Sequence, residues 1–122
     1  GDHYSKLAIQ PVHFATVNNY DPAAFSITKY LTRWRDKGGK KDLEKARHFV
    51  DLRLAMSKSG DIQTLIPPAR MPMSLYVSAN NLGGSEKYAL LELENWVYAG
   101  DQYEIGYAEH IKTLIDRLIE LA

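Results

Sequence analysis

Residues 29–49 read KYLTRWRDKGGKKDLEKARHF, and residues 91–111 read LELENWVYAGDQYEIGYAEHI. Aligned without a gap, they pair Leu31 with Leu93, Trp34 with Trp96, Gly38 with Gly100, Ala46 with Ala108 and His48 with His110. Trp34 and Trp96 are the only tryptophans in the chain. The same offset of 62 carries outward to the only two Asn-Asn pairs, Asn18-Asn19 and Asn80-Asn81, to Phe14 with Tyr76, and to Leu52 with Leu114. Identity along the whole register is low, yet rare features agreeing on one offset mark an internal repeat.

Each copy reads as three helical segments, so the predicted class is all-α. The first opens near a proline (Pro11, with Pro72 one position off register) and stops at the Asn pair, because Asn tolerates the left-handed conformation that closes a helix. The second runs from about Pro22 to Lys37, with Ala24, Ile27, Leu31 and Trp34 at helical spacing, and ends at Gly38-Gly39. The third runs from about Lys41 to Lys58 over Leu43, Ala46, Val50 and Leu54; its copy, from about Tyr103 to Leu121, buries Ile105, Ala108, Ile111, Ile115 and Leu118. The stretch TLIPPARMPM holds three prolines and cannot continue a helix. The expected layout is a basic repeat over 1–61, a proline-containing linker over 62–72 and an acidic, degenerate repeat over 73–122. A three-helix unit of this size is marginal alone, so the copies are expected to share one core about a pseudo-twofold axis, an internal imitation of a homodimer.

The chain has 122 residues, 45% of them hydrophobic, enough for one compact domain. With no cysteine, disulfides and thiolate metal sites are excluded, and an intracellular setting is expected. No apolar run approaches a membrane span, and GDHYSKL has no signal-peptide core. The zero net charge hides an asymmetry. Residues 1–61 carry 11 Lys+Arg against 7 Asp+Glu, or +4, while residues 62–122 carry 4 against 8, or −4. Such a split suits different partners for the two halves, or each half for the other.

On the second helix Ser26, Lys29, Tyr30, Arg33 and Lys37 share one face, and Asp42, Lys45 and Phe49 follow at matching spacing on the third. Between them DKGGKK places glycines whose backbone N–H groups can approach an anion closely. Two cations one turn apart beside an aromatic ring can hold a phosphate and stack a base. The competing reading is plain solvation, with Asp36, Asp42 and Glu44 as salt-bridge partners. The second copy bears on this choice: Lys29, Tyr30, Arg33 and Lys37 align with Leu91, Glu92, Asn95 and Ala99, so the apolar positions recur and the cations do not. No phosphate-binding loop, nucleophile elbow or histidine pair at zinc spacing occurs, and no metal site is expected. His48 and His110 share a structural position, which points to packing or capping, and His13 is expected to be exposed.

The first half, roughly His3 to Leu54, resembles a family of small bacteriophage proteins labelled "nucleotide kinase" or of unknown function. The resemblance rests on His3-Tyr4, Ile9-Gln10-Pro11, Lys29-Tyr30, Arg33, Lys37, Asp42-Leu43, Lys45-Ala46 and an aromatic at Phe49. Where family members usually carry Gly-Asn before the Lys-Tyr segment, this chain has Phe25-Ser26. The resemblance implies a phage origin, a host-cytoplasmic location and nucleoside monophosphate phosphorylation without a phosphate-binding loop.

Two functions follow as expectations. The first is binding of a nucleotide or other small phosphate ligand, extending to a nucleoside monophosphate kinase that would use ATP and Mg²⁺. Lys29 and Arg33 would hold phosphate, Tyr30 or Tyr4 would lie against base or sugar, Lys37 and Lys45 would be secondary cations, and Asp42 would orient Lys45 or a magnesium-bound water. The second is a non-enzymatic protein that occupies a host or antiviral factor or captures a nucleotide signal. Nucleic-acid binding is disfavoured by the zero total charge and the acidic half, no membrane partner is expected, and a homo-oligomer stays open.

Overall fold

A computed structural model of the chain describes residues 6–122, whose regular elements are all helices, with no strand among them. Helix α1 (Pro11–Val17) starts on Pro11, whose missing N–H and fixed φ suit a first helical position. Asn18 caps it and Asn19 follows at φ 58°, the left-handed value expected of an Asn closing a helix. Helix α2 (Pro22–Arg33) again has proline in its first turn, and the Asp21 carboxylate accepts from the Ala24 N–H at 2.8 Å. Helix α3 spans Lys40–Lys58.

The second half runs through α4 (Met73–Ala79), α5 (Gly84–Tyr98), a short 3₁₀ turn (Asp101–Tyr103) and α6 (Glu104–Leu121). Helices α1 and α4 start and end 62 residues apart, α2 and α5 start 62 apart, and Asn81 repeats the positive φ of Asn19 at 56°. Residues 59–72, which include Pro67, Pro68 and Pro72, form a non-helical connection.

Helix α2 packs on α3 and α5 on α6, while α3 against α6 and α2 against α5 join the halves. One buried core collects Ala24, Ile27, Leu31 and Trp34 from α2 and its cap with Leu43, Ala46 and Val50 from α3, matching the helical spacing in the sequence. The second half contributes Leu90, Leu93, Trp96, Ile111, Ile115 and Leu118. Each such large apolar side chain withdrawn from water contributes about 1.5–3 kcal/mol before entropy is counted. Phe14 and Tyr76 meet across the halves with ring centroids 4.6 Å apart, and the Tyr76 hydroxyl shares a 2.6 Å hydrogen bond with Thr32 Oγ1.

The halves also exchange side chains reciprocally. Asn18 donates to the Met71 carbonyl and accepts from the Met71 N–H, each at 2.9 Å. Asn80 does the same to Ile9, at 2.8 and 2.9 Å. Ile9 and Met71 are themselves 62 apart, so each Asn grips the register-equivalent segment of the other half.

Three expectations change. The second helix ends at Arg33 rather than Lys37: the Gly39 N–H reaches back to the Trp34 carbonyl at 2.7 Å, and Gly39 itself sits at φ 56°, so the glycines unwind the last turn. Ile105 is 57% exposed, because the inward stripe of α6 runs through Glu104, Ala108, Ile111 and Leu118. Leu54 is only half-buried, while its neighbour Arg53 is buried. The Arg53 guanidinium lies 4.5 Å from the Trp96 ring and 2.9 Å from Asp21 Oδ2, so a cation takes a place across the halves that apolar periodicity assigns to leucine.

Candidate functional site

The site residues lie where α2 and α3 face one another, on either side of the Asp36–Gly39 turn. The turn is already filled. Arg33 Nε and Nη2 donate to Asp42 Oδ2 and Oδ1 at 3.0 and 3.2 Å, and the Gly38 N–H donates to Oδ2 at 3.1 Å. A Cβ on Gly38 would stand 2.1 Å from the Asp42 carboxyl carbon, so only glycine fits this approach. Asp42 also sits in the first turn of α3, where the helix dipole favours negative charge. The glycine loop therefore does cradle an anion, but the anion is the protein's own: the Asp42 side chain is 2% exposed and that of Arg33 14%. Both groups expected to serve a ligand are joined to each other, and the carboxylate is committed to Arg33 and Gly38 rather than to Lys45.

Around this pair three cations converge on one ring. Lys29 Nζ lies 4.5 Å, Arg33 Cζ 4.9 Å and Lys45 Nζ 5.4 Å from the Tyr30 ring centroid, within the range of cation–π attraction. Tyr30 stacks on Phe49 with centroids 6.1 Å apart and planes 20° from parallel, and His48 meets Phe49 edge-on. Lys29 and Lys45 take part in no salt bridge among the described residues; with Arg33 balanced by Asp42, they leave two uncompensated positive charges beside a half-buried aromatic ring.

Lys29 also borders a small cavity of about 130 Å³ with Gln10, Pro11, Val12 and Phe25. Its Nζ lies 5.6 Å from the Phe25 ring. That volume suits one small group rather than a whole ligand, whose pockets usually run to roughly 300–1,000 Å³. Sequence spacing brings Lys29, Tyr30, Arg33, Asp42 and Lys45 together as expected. Lys37 does not join them, because α2 ends before it and it stands exposed in the turn. Tyr4, with His3, lies outside the described residues. Phe25 stands one turn before Lys29 on α2, while Gln10 and Pro11 border Lys29 across a fold contact that helical periodicity does not reveal.

The two histidines at equivalent positions differ in their contacts: His110 Nδ1 pairs with Glu92, while His48 rests on Phe49. His13 is exposed. Among the described residues no helix is long and apolar enough to cross a membrane.

A family model described as a protein of unknown function, DUF3310, matches residues 1–51. The match holds every candidate residue from Tyr4 to Lys45 and breaks off within α3, leaving the second half outside it. No curated protein and no solved structure matches the chain.

Proposed function

We propose that the protein binds a phosphate-bearing, nucleotide-like anion on its first half, through Lys29 and Lys45 beside the Tyr30 ring. The observation that carries this reading is the pair of ammonium groups that lie near one aromatic ring and enter no salt bridge among the described residues. An anionic group is attracted by both, while a planar base finds the Tyr30–Phe49 stack.

The same geometry favours holding a ligand over transferring its phosphate. The Asp42 carboxylate that a kinase would use to orient a metal-bound water is engaged by Arg33 and the Gly38 N–H. Capture of a nucleotide signal, with no turnover, is therefore preferred to a nucleoside monophosphate kinase. The phage origin and host-cytoplasmic setting belong to this reading through the family resemblance, as does a duplicated three-helix unit in which only the first copy carries the cations.

Calorimetric titration with pyrophosphate and a panel of nucleoside monophosphates tests it. Binding weakened about tenfold in Lys29→Ala/Lys45→Ala, at unchanged thermal stability, supports the proposal. Absence of binding to every anion overturns it. Formation of diphosphate in the presence of ATP and Mg²⁺ would replace capture by catalysis.

A further inference from the structure

A second concave surface, of about 600 Å³, lies between α5, the 3₁₀ turn and the prolines of the connection. Its walls include Pro68, Glu94, Tyr98, Tyr103 and Tyr107. Its lining residues Asn95, Ala99, Gly100, Tyr103 and Tyr107 lie 62 positions after Arg33, Lys37, Gly38, Lys41 and Lys45. The groove thus occupies the sequence register of the basic turn and the start of α3, with Tyr103 and Tyr107 where α3 has Lys41 and Lys45. Among the described residues Glu94 is the one charged side chain lining it. Its Oε2 accepts the Met73 N–H at 2.7 Å, which fixes the carboxylate in place. The half that contains it carries the formal charge of −4.

We infer that this groove docks a basic, arginine-bearing peptide segment, with a guanidinium stacked on the tyrosines and paired with Glu94. A planar guanidinium is suited to both contacts at once, since it stacks on aromatic faces and presents a rigid fork to a carboxylate. The volume exceeds what one such group needs and gives room for its neighbours in a chain. Charge complementarity selects the occupant: an anion would meet Glu94 with no lysine or arginine on the walls. Burial, reinforced by Glu94, raises the Tyr98 hydroxyl above the ordinary tyrosine value.

The test is titration of the full chain with an oligo-arginine peptide, followed by calorimetry and by amide shifts in NMR spectra. Saturable binding with shifts centred on Ala99 and Gly100 is expected. Glu94→Gln, which keeps a hydrogen-bond acceptor for Met73, and Tyr103→Leu, at a side chain already 57% exposed, should each weaken binding about threefold to fivefold. Lys29→Ala/Lys45→Ala should leave it unchanged, so this site and the anion site succeed or fail separately. Circular dichroism melts establish that the variants are folded. Peptide binding that ignores both groove variants, shifts that map elsewhere, equal affinity for spermidine, preference for pyrophosphate, or self-association of the chain in place of peptide binding would each overturn the inference.

Discussion

In the first half the carboxylate opening α3 is Asp42, and it faces Arg33; in the second half the equivalent carboxylate opening α6 is Glu104, and the residue in register with Arg33 is Asn95. Asp42 is satisfied by a guanidinium and a glycine N–H. Glu104 accepts instead from the Trp96 indole at 3.4 Å and from the Ser57 hydroxyl, while the exposed Asn95 turns to Glu92 at 2.9 Å. Trp34, in register with Trp96, donates across the halves to Glu86, which Arg35 also grips. The same scaffold position thus closes its charge in two ways, one ionic and one through neutral donors. A buried carboxylate at a helix N-terminus is a structural need that both halves meet; the lysines around Tyr30 are an addition that only the first half carries.

The largest expected effect breaks this comparison at its centre. Arg33→Ala strands the Asp42 carboxylate, which is nearly inaccessible, and should cost about 3 kcal/mol in chemical denaturation. Asn95→Ala, at the register-equivalent site, should change stability by no more than about 0.5 kcal/mol, as an exposed side chain away from the core. Similar losses at both positions would show that the ion pair is not what separates the halves.

Next in size is the reciprocal clasp. Asn18→Ala and Asn80→Ala each remove two hydrogen bonds to the opposite strap, and each should cost about 2 kcal/mol. Near-equal values by urea denaturation would support a twofold relation between the halves; a large inequality would count against one.

A smaller effect than the clasp concerns Tyr20, whose hydroxyl is buried without a hydrogen-bond partner among the described residues. Burial first, then the Glu94 carboxylate, pushes its pKa well above the ordinary 10.0. Because the folded value is raised, the unfolded chain releases this proton first. The stability linked to it is therefore complete below about pH 10 and is lost as pH rises from there toward the folded value. Lys112, raised by its hydrogen bond to Asp51 and by Glu109, adds a loss of the same sign above 10.5. Tyr20→Phe should lessen the alkaline decline without abolishing it. At neutral pH it should stabilise by about 1 kcal/mol, since an unsatisfied buried hydroxyl is removed. An unchanged slope of stability against pH would show that Tyr20 titrates alike in both states.

Much of this architecture was legible without coordinates. Pro11 and Pro22 at helix starts, the Asn pairs at the ends of α1 and α4, and the apolar spacing of Ala24, Ile27 and Leu31 are local or periodic signals, and the structure repeats them. The meeting of Lys29, Tyr30, Arg33, Asp42 and Lys45 was legible for the same reason, because two short-linked helices of known period must turn those faces together. The interior position of Arg53 was not, since a cation reads as exposed until Trp96 and Asp21 arrive from elsewhere in the chain. Nor was the tyrosine groove, whose walls come from separate segments of the second half.

Sequence by itself determined the helices and their order, because capping and 3.6-residue periodicity act over a few residues. Only the tertiary structure decided which charges are spent internally and which remain for a ligand. Whether Arg33 meets Asp42 or solvent depends on where a glycine turn brings two helices together, and that is fixed by packing across the fold.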